Sequence, residues 1–252
     1  MASTPLLLAA SALLLGRLCD AHWRDNHGGR VCFKPTGYKL RLLYFPVYNR
    51  AEFIKWMLHY ANVDYEEVDI TGEQWAASEK AKQPYGILPV LEVNGRKLSQ
   101  SLAVARAVAK LTRLEFKQCG GGDDFDRATL DMHAYSFQDF VTAVDRTGLS
   151  NVLTTEPLDE QRVREIGTEL ETKSGPPYFS VLEERLNKQD SGFFSCQPTW
   201  LDFFVGEWLG RLEEKANPKL LDKFPALRDH SHRVKNLPAL QAYLKSRPAR
   251  PI

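Results

Sequence analysis

The amino-terminal half of the chain alternates strand-like and helix-like hydrophobic patterns. Phe53, Ile54 and Met57 recur at helical spacing and form one apolar stripe. An Asn-Gly pair at 94–95 separates two short apolar runs, which is typical of a tight hairpin. The predicted elements are a strand 39–45, a helix 50–61, a strand 65–70, a short polar helix 73–82, strands 88–93 and 96–98, and a helix 101–113. This order predicts a small mixed sheet with helices.

A run of glycines at 120–122 separates this region from one in which the hydrophobic patterns are helical. The predicted helices there are 125–144, 160–173, 178–188, 199–215 and 237–246. Thr199 and Asp202 match the capping-box pattern, in which a hydroxyl and an acidic side chain accept from free backbone N–H groups at a helix start. The sequence therefore predicts a mixed α/β domain over 38–114 followed by an all-α domain over 122–252.

The segment before residue 38 has a different pattern. Residues 5–18 form an apolar run that is too short to span a bilayer, which needs about 20 residues. The run and the small residues Cys19 and Ala21 are typical of a secretory signal over 1–21 that is cleaved after Ala21, followed by a polar linker over 22–37. Such a signal predicts the secretory pathway or the extracellular space. An organelle import signal, a disordered tail or a misassigned start codon are the alternatives, and a cytoplasmic location stays open with them.

Composition and charge narrow the function classes. The chain has 252 residues, with 33 Lys and Arg against 32 Asp and Glu, so its net charge is +1. This balance argues against a nucleic-acid partner, which requires clustered positive charge. The four cysteines lie far apart and form no Cys-x-x-Cys pair, which excludes a zinc ribbon and a dithiol redox motif.

Several short motifs occur in a fixed order along the chain. They are Tyr44-Phe45, Arg50-Ala51-Glu52, Trp75, the run 84–91 (PYGILPVL), the run 100–106 (QSLAVAR), Gln138-Asp139-Phe140 and the capping box at 199–202. The ordered set closely resembles the sigma class of glutathione transferases, the class that includes haematopoietic prostaglandin D synthase. The resemblance covers residues 38–252. It implies the glutathione transferase fold, with a thioredoxin-like first domain and an all-α second domain, and a homodimer.

The resemblance implies a catalytic role for Tyr44. Glutathione reacts through its thiolate, and a cysteine thiol with an ordinary pKa of about 8.5 is mostly protonated at neutral pH. A hydroxyl that donates a hydrogen bond to the sulfur favours the charged form. Tyr44 matches the family's tyrosine, and Arg50 matches an arginine that assists the thiolate electrostatically. Tyr48 is the alternative hydroxyl, and a solvated charge is the structural alternative for Arg50.

Glutathione carries carboxylates and an ammonium, so its site must recognise both signs of charge. By resemblance, Gln100 and Ser101 bind the γ-glutamyl end at the start of a helix, where free N–H groups favour an anion. A simple helix cap is the alternative for Ser101. Asp139 matches an acidic residue that reaches the ammonium group of glutathione in the neighbouring subunit.

The resemblance also implies contacts to the rest of glutathione. Pro89 matches a cis-proline that turns the backbone of Leu88 toward the cysteinyl part. Trp75 and a lysine hold the glycyl carboxylate, although Trp75 also fits a plain packing role. Lys80 is the predicted lysine and Lys82 its rival, because one more residue than in the family separates Trp75 from the proline motif.

Departures from the family pattern bear on the activity. Tyr135 and Gln138 stand where the prostaglandin synthase has acidic residues that bind a divalent cation, so no metal is predicted. Arg146 falls where that enzyme has an aromatic wall.

The predicted function is a detoxifying transferase that uses glutathione as co-substrate and conjugates it to apolar electrophiles, bound between the 44–48 loop and residues 137–146. The alternatives are a glutathione-dependent prostaglandin isomerase or peroxidase, and a non-catalytic crystallin-like protein on the same fold.

Overall fold

The computed structural model describes residues 37–115, 123–154 and 157–250. The predicted signal peptide at 1–21 and all but the last residue of the predicted linker lie outside these ranges. Within them, no helix combines the length and apolarity needed to cross a bilayer.

The first domain is built on a mixed sheet. Its strands are β1 (Leu40–Tyr44), β2 (Glu66–Asp69), β3 (Val90–Val93) and β4 (Arg96–Ser99), in the spatial order β2-β1-β3-β4. β1 pairs in parallel with β2 and antiparallel with β3, so it lies in the interior of the sheet. Asn94 and Gly95 both have positive φ, at 50° and 82°, as the predicted hairpin turn between β3 and β4 requires.

The predicted helices are present in the predicted order, and the described part of the second domain contains two more. In the first domain they are α1 (Asn49–Tyr60), α2 (Gly72–Gln74) and α3 (Ser101–Thr112). In the second domain they are α4 (Asp124–Arg146), α5 (Leu149–Thr154), α6 (Glu160–Glu169), α7 (Pro176–Asn187), α8 (Trp200–Lys215), α9 (Pro225–Lys235) and α10 (Gln241–Ser246). The mixed α/β domain followed by an all-α domain is confirmed.

The two domains share one hydrophobic core. Helix α1 of the first domain packs against α8 of the second, with ring centroids 4.7 Å apart for Phe53 and Phe204 and 5.1 Å apart for Tyr60 and Phe203. Because α1 follows β1 after a short loop, this packing fixes the β1–α1 loop against the helical domain.

The helices differ from the prediction at several points. The predicted helix 73–82 is regular only over α2, then continues as a wider π-helical stretch at Trp75–Glu79 and a tight turn at Lys80–Lys82. Helices α5 and α9 were not predicted. The buried face of α9 includes His230 and Ser231 as well as Leu227 and Val234, so its hydrophobic pattern is too sparse to predict a helix.

Candidate functional site

Tyr44 ends β1 with its ring buried and its oxygen beside the first turn of α1. Only 6% of the residue is exposed, and the phenol oxygen accepts a hydrogen bond from the backbone N–H of Arg50 at 3.2 Å. Burial raises the pKa of Tyr44 to about 12, although the hydrogen bond from Arg50 opposes this. Within the described residues the phenol proton has no acceptor. Tyr44 is therefore a neutral hydroxyl at physiological pH with a proton left to donate.

Tyr48, the alternative hydroxyl, is engaged elsewhere. Its O–H donates to the backbone carbonyl of Pro248 at 2.8 Å. The guanidinium of Arg247 lies over its ring, 4.4 Å from the centroid. Since the proton of Tyr48 is already donated to Pro248, the geometry favours Tyr44 as the donor to sulfur.

Two arginines face Tyr44, and each is paired with a carboxylate. Arg50 forms an ion pair with Asp145 near the end of α4. Arg211 on α8 donates to both oxygens of Glu207, at 2.8 and 3.1 Å. The positive charges of Arg50 and Arg211 lower the pKa of Tyr44, whereas the negative charge of Asp145 raises it, so the site is nearly balanced in charge.

The backbone features predicted for glutathione binding are present. The Leu88–Pro89 peptide bond is cis, as predicted, and it lies directly before β3. Gln100 has φ 74° and ψ 116°, a conformation that costs a non-glycine residue about 1–3 kcal/mol and is concentrated at functional sites. Ser101 follows as the buried first residue of α3. Among the described residues no side chain caps this helix start, so its free N–H groups remain available to an anion.

Trp75 is half-buried at the start of the π-helical stretch, and its ring packs edge-on against Phe45 at 5.5 Å. The two candidate lysines nearby differ in their partners. Lys82 donates to a carboxylate oxygen of Glu79 at 2.7 Å, whereas the described residues offer no carboxylate to the ammonium group of Lys80. The geometry therefore favours Lys80 as a cation available to a ligand.

The predicted wall for a second substrate needs a correction. Phe137 is fully buried and packs against Phe204 with ring centroids 5.1 Å apart, so it belongs to the core and cannot line a cleft. The accessible end of the predicted span carries Asp145 and Arg146. Asp139 is exposed, six residues before Asp145 and therefore about 9 Å away along the helix axis. Its role toward a neighbouring subunit stays a prediction.

Sequence reasoning missed a buried carboxylate near the β1–α1 loop that links the two domains. Glu52 is fully buried on α1 and accepts hydrogen bonds from the indole of Trp56 at 3.0 Å and the hydroxyl of Tyr243 at 3.1 Å. It also pairs with Arg247 of the carboxyl-terminal segment. Glu52 lies inside the Arg-Ala-Glu motif, but Tyr243 is 191 positions away in sequence, where no local pattern points to it.

Within the described ranges, no group of three or more His, Cys, Asp or Glu side chains converges as a metal site would require. The exposed side chain of Tyr135 lies on α4 with Gln138, at the positions predicted to lack the acidic ligands. The absence of a metal stays a prediction.

Comparison with known proteins identifies the family. Residues 39–110 match the family model described as "Glutathione S-transferase, N-terminal domain", and residues 146–247 match "Glutathione S-transferase, C-terminal domain". A probable glutathione S-transferase 6 of Caenorhabditis elegans is 31% identical over 212 residues, which cover 84% of this chain and 98% of that protein. The haematopoietic prostaglandin D synthase of Mus musculus is 29% identical over 82% of this chain and 96% of its own length.

A solved structure shows the same arrangement. The monomeric glutathione S-transferase Na-GST-3 of the hookworm Necator americanus superposes with a TM-score of 0.73 at 28% identity, covering 84% of this chain and 98% of that chain. The thioredoxin-like first domain and helical second domain are thus those of a known fold. The chain belongs to the glutathione S-transferase family and is a glutathione transferase.

Proposed function

We propose that Tyr44 donates a hydrogen bond to the sulfur of glutathione and stabilises its thiolate, which then attacks an electrophilic carbon of an apolar second substrate. The thiol releases its proton to solvent, the sulfur of the thiolate forms the new bond to carbon, and the leaving group departs with the electron pair of the bond that breaks. The observation that carries this proposal is the buried, neutral phenol of Tyr44, whose proton has no acceptor among the described residues. Arg50 adds positive charge beside the same oxygen.

The proposed binding of glutathione uses the backbone features around this tyrosine. The cis bond before Pro89 presents the backbone of Leu88 to the cysteinyl part. Gln100 and Ser101 bind the γ-glutamyl carboxylate at the uncapped start of α3. The indole N–H of Trp75 and a lysine bind the glycyl carboxylate.

The sigma class is part of this proposal. The ordered motifs and the similarity to the mouse haematopoietic prostaglandin D synthase support it. That similarity also keeps a glutathione-dependent isomerase as the second candidate, with a second substrate bound at the same thiolate. The half-exposed ion pair between Arg50 and Asp145 on the predicted wall favours conjugation, because it leaves less continuous apolar surface for a lipid chain.

A pH titration of bound glutathione tests the proposal. The thiolate absorbs in the near ultraviolet, so the full-length protein saturated with glutathione reports the thiol pKa directly. We expect this pKa to lie well below that of free glutathione, an ordinary thiol with a pKa of about 8.5. Binding with an unshifted pKa would contradict the proposed catalysis. Failure to bind glutathione resin would favour the crystallin-like alternative.

Replacing Lys80 with alanine should raise the dissociation constant of glutathione by about fivefold, because a half-solvated ion pair contributes up to about 1 kcal/mol. Lys82→Ala is the matched control and should change the constant far less, since Lys82 already pairs with Glu79. Calorimetry at low and high salt measures both variants, and screening should shrink the effect of Lys80→Ala. A larger loss in Lys82→Ala would assign the contact to that lysine instead.

We propose a homodimer, supported by apolar side chains exposed on the described surface. Tyr85 is 89% exposed in the loop before the cis-proline, and Phe125 and Met132 are 78% and 54% exposed seven positions apart on α4. That spacing places the latter two on one face of the helix. Exposed apolar side chains that share a helix face, as Phe125 and Met132 do, are typical of interaction surfaces.

Tyr85→Lys should weaken self-association at least tenfold, because a buried aromatic anchor commonly contributes about 2 kcal/mol or more to an interface. Sedimentation velocity across a concentration series measures it. Tyr38→Lys changes another exposed tyrosine, 49% accessible at the start of the first domain, and serves as the control. A wild-type protein that sediments as a monomer, like the monomeric hookworm relative, would overturn the dimer.

A further inference from the structure

The two ion pairs near Tyr44 differ in how firmly they are held. The side chains of Arg211 and Glu207 are only 8% and 2% exposed, and two parallel hydrogen bonds join them. The side chains of Arg50 and Asp145 are each 31% exposed. A buried pair with two bonds keeps its geometry, whereas a half-exposed pair exchanges readily with water and ligands.

The half-exposed pair of Arg50 and Asp145 is the one connected directly to the phenol oxygen of Tyr44. The backbone N–H of Arg50 donates to the phenol oxygen of Tyr44, so the side chain of Arg50 branches from the backbone beside that oxygen. Asp145 approaches from α4, on the opposite side of the domain boundary. The pair therefore joins the start of α1 to the helical domain beside the phenol of Tyr44.

We propose that Asp145 is a positioning residue that holds the guanidinium of Arg50 across the domain boundary and limits how acidic the glutathione thiol becomes at Tyr44. This inference rests on the proposed function, because it concerns the thiolate formed at Tyr44. Asp145 neutralises part of the positive charge that Arg50 presents to the sulfur. Its own negative charge also disfavours a second anion nearby.

The charged groups that face the phenol come from three elements. They are Arg50 from the start of α1, Asp145 from α4 and Arg211 from α8. Glu207 forms an ion pair with Arg211 and is buried, and its burial raises the pKa of its carboxyl group. Asp145 is thus the carboxylate of this set that is accessible enough to be changed without opening the core.

Asp145→Asn removes the charge and keeps a carbonyl oxygen that still accepts from Arg50. We expect the pKa of bound glutathione to fall by about 0.5, a threefold change in its ionisation constant, because a charge in a half-exposed position is partly screened. With glutathione saturating, the rising limb of the pH profile of kcat/KM for the second substrate should move to lower pH by the same amount. The shift should shrink at high salt. Asp145→Glu retains the charge and should retain the wild-type pKa.

Asp131→Asn is the matched control. Asp131 lies on the same helix, 14 positions and therefore about 21 Å earlier, and pairs with Arg106. The Asp131→Asn variant should leave the pKa of the bound glutathione thiol unchanged. Thermal unfolding of each variant separates a structural effect from an electrostatic one.

The outcomes separate this inference from the proposed function. A wild-type thiol with an unshifted pKa would refute the proposed function, and the role of Asp145 would fall with it. A lowered wild-type pKa that stays the same or rises in Asp145→Asn would overturn this inference alone. A variant that unfolds at a lower temperature with no change in thiol pKa would likewise reduce Asp145 to a structural link between the domains.

Discussion

Replacing Tyr44 with phenylalanine is expected to lower kcat/KM for conjugation about 100-fold, the size of effect seen when a hydrogen-bond donor to a developing anion is removed. The phenol is buried, and its pKa is raised to about 12, so it keeps its proton for donation throughout the physiological range. Without it, the pKa of bound glutathione should rise toward the ordinary thiol value of about 8.5. Glutathione affinity should change little, because the contacts proposed for its backbone and termini remain.

Tyr48→Phe provides the matched control for this experiment. The variant loses the hydrogen bond to the carbonyl of Pro248 but leaves Tyr44 and Arg50 in place. We expect its thiol pKa to equal that of the wild type, with any change confined to the KM of the second substrate. Unchanged turnover in Tyr44→Phe, or a larger pKa shift in Tyr48→Phe, would show that Tyr44 is not the donor. Because the pKa of Tyr44 is raised to about 12, its ionisation should not limit activity in the neutral range.

The sequence predicted best those features that depend on neighbouring residues. The Asn94-Gly95 turn, the position of Tyr44 at a strand end and the start of α3 at Ser101 follow from local patterns of apolar and turn residues. The cis bond before Pro89 was implied by the family resemblance of the motif at 84–91. Helix α9 was missed because its buried face includes polar side chains, and the π-helical stretch after α2 has no hydrophobic signature.

The charged part of the site could not be predicted in the same way. Arg50 was identified from its motif, but its partner Asp145 lies 95 positions away. Glu52 and Arg247 are 195 positions apart, and their ion pair exists only because α1 packs on the helical domain. Such pairs are set by tertiary packing, and neither member carries a local pattern that identifies the other. The electrostatics around Tyr44 therefore required the structure.

The capping box predicted at Thr199 and Asp202 is part of a larger buried network. Asp202 is fully buried, and one of its oxygens accepts from the backbone N–H and the hydroxyl of Thr199, both at 2.7 Å. Its other oxygen accepts from the backbone N–H of Phe194 at 2.9 Å and lies 2.9 Å from Nε2 of His230. This one carboxylate thus joins the start of α8, the preceding loop and helix α9. Its role extends well beyond the cap that the sequence indicated.

Asp202→Ala should therefore lower the free energy of unfolding by about 3–5 kcal/mol, as breaking a buried polar network does, because it leaves buried donors without an acceptor. Thr199→Ala removes only the hydroxyl of the cap and should cost about 1 kcal/mol. Urea denaturation of both single variants and the double variant measures these costs, and the double variant should cost less than their sum because the two side chains share a bond. A cost for Asp202→Ala no larger than that for Thr199→Ala would reduce Asp202 to an ordinary helix cap. Since the network lies in the core of the second domain, the folded fraction of Asp202→Ala should still bind glutathione.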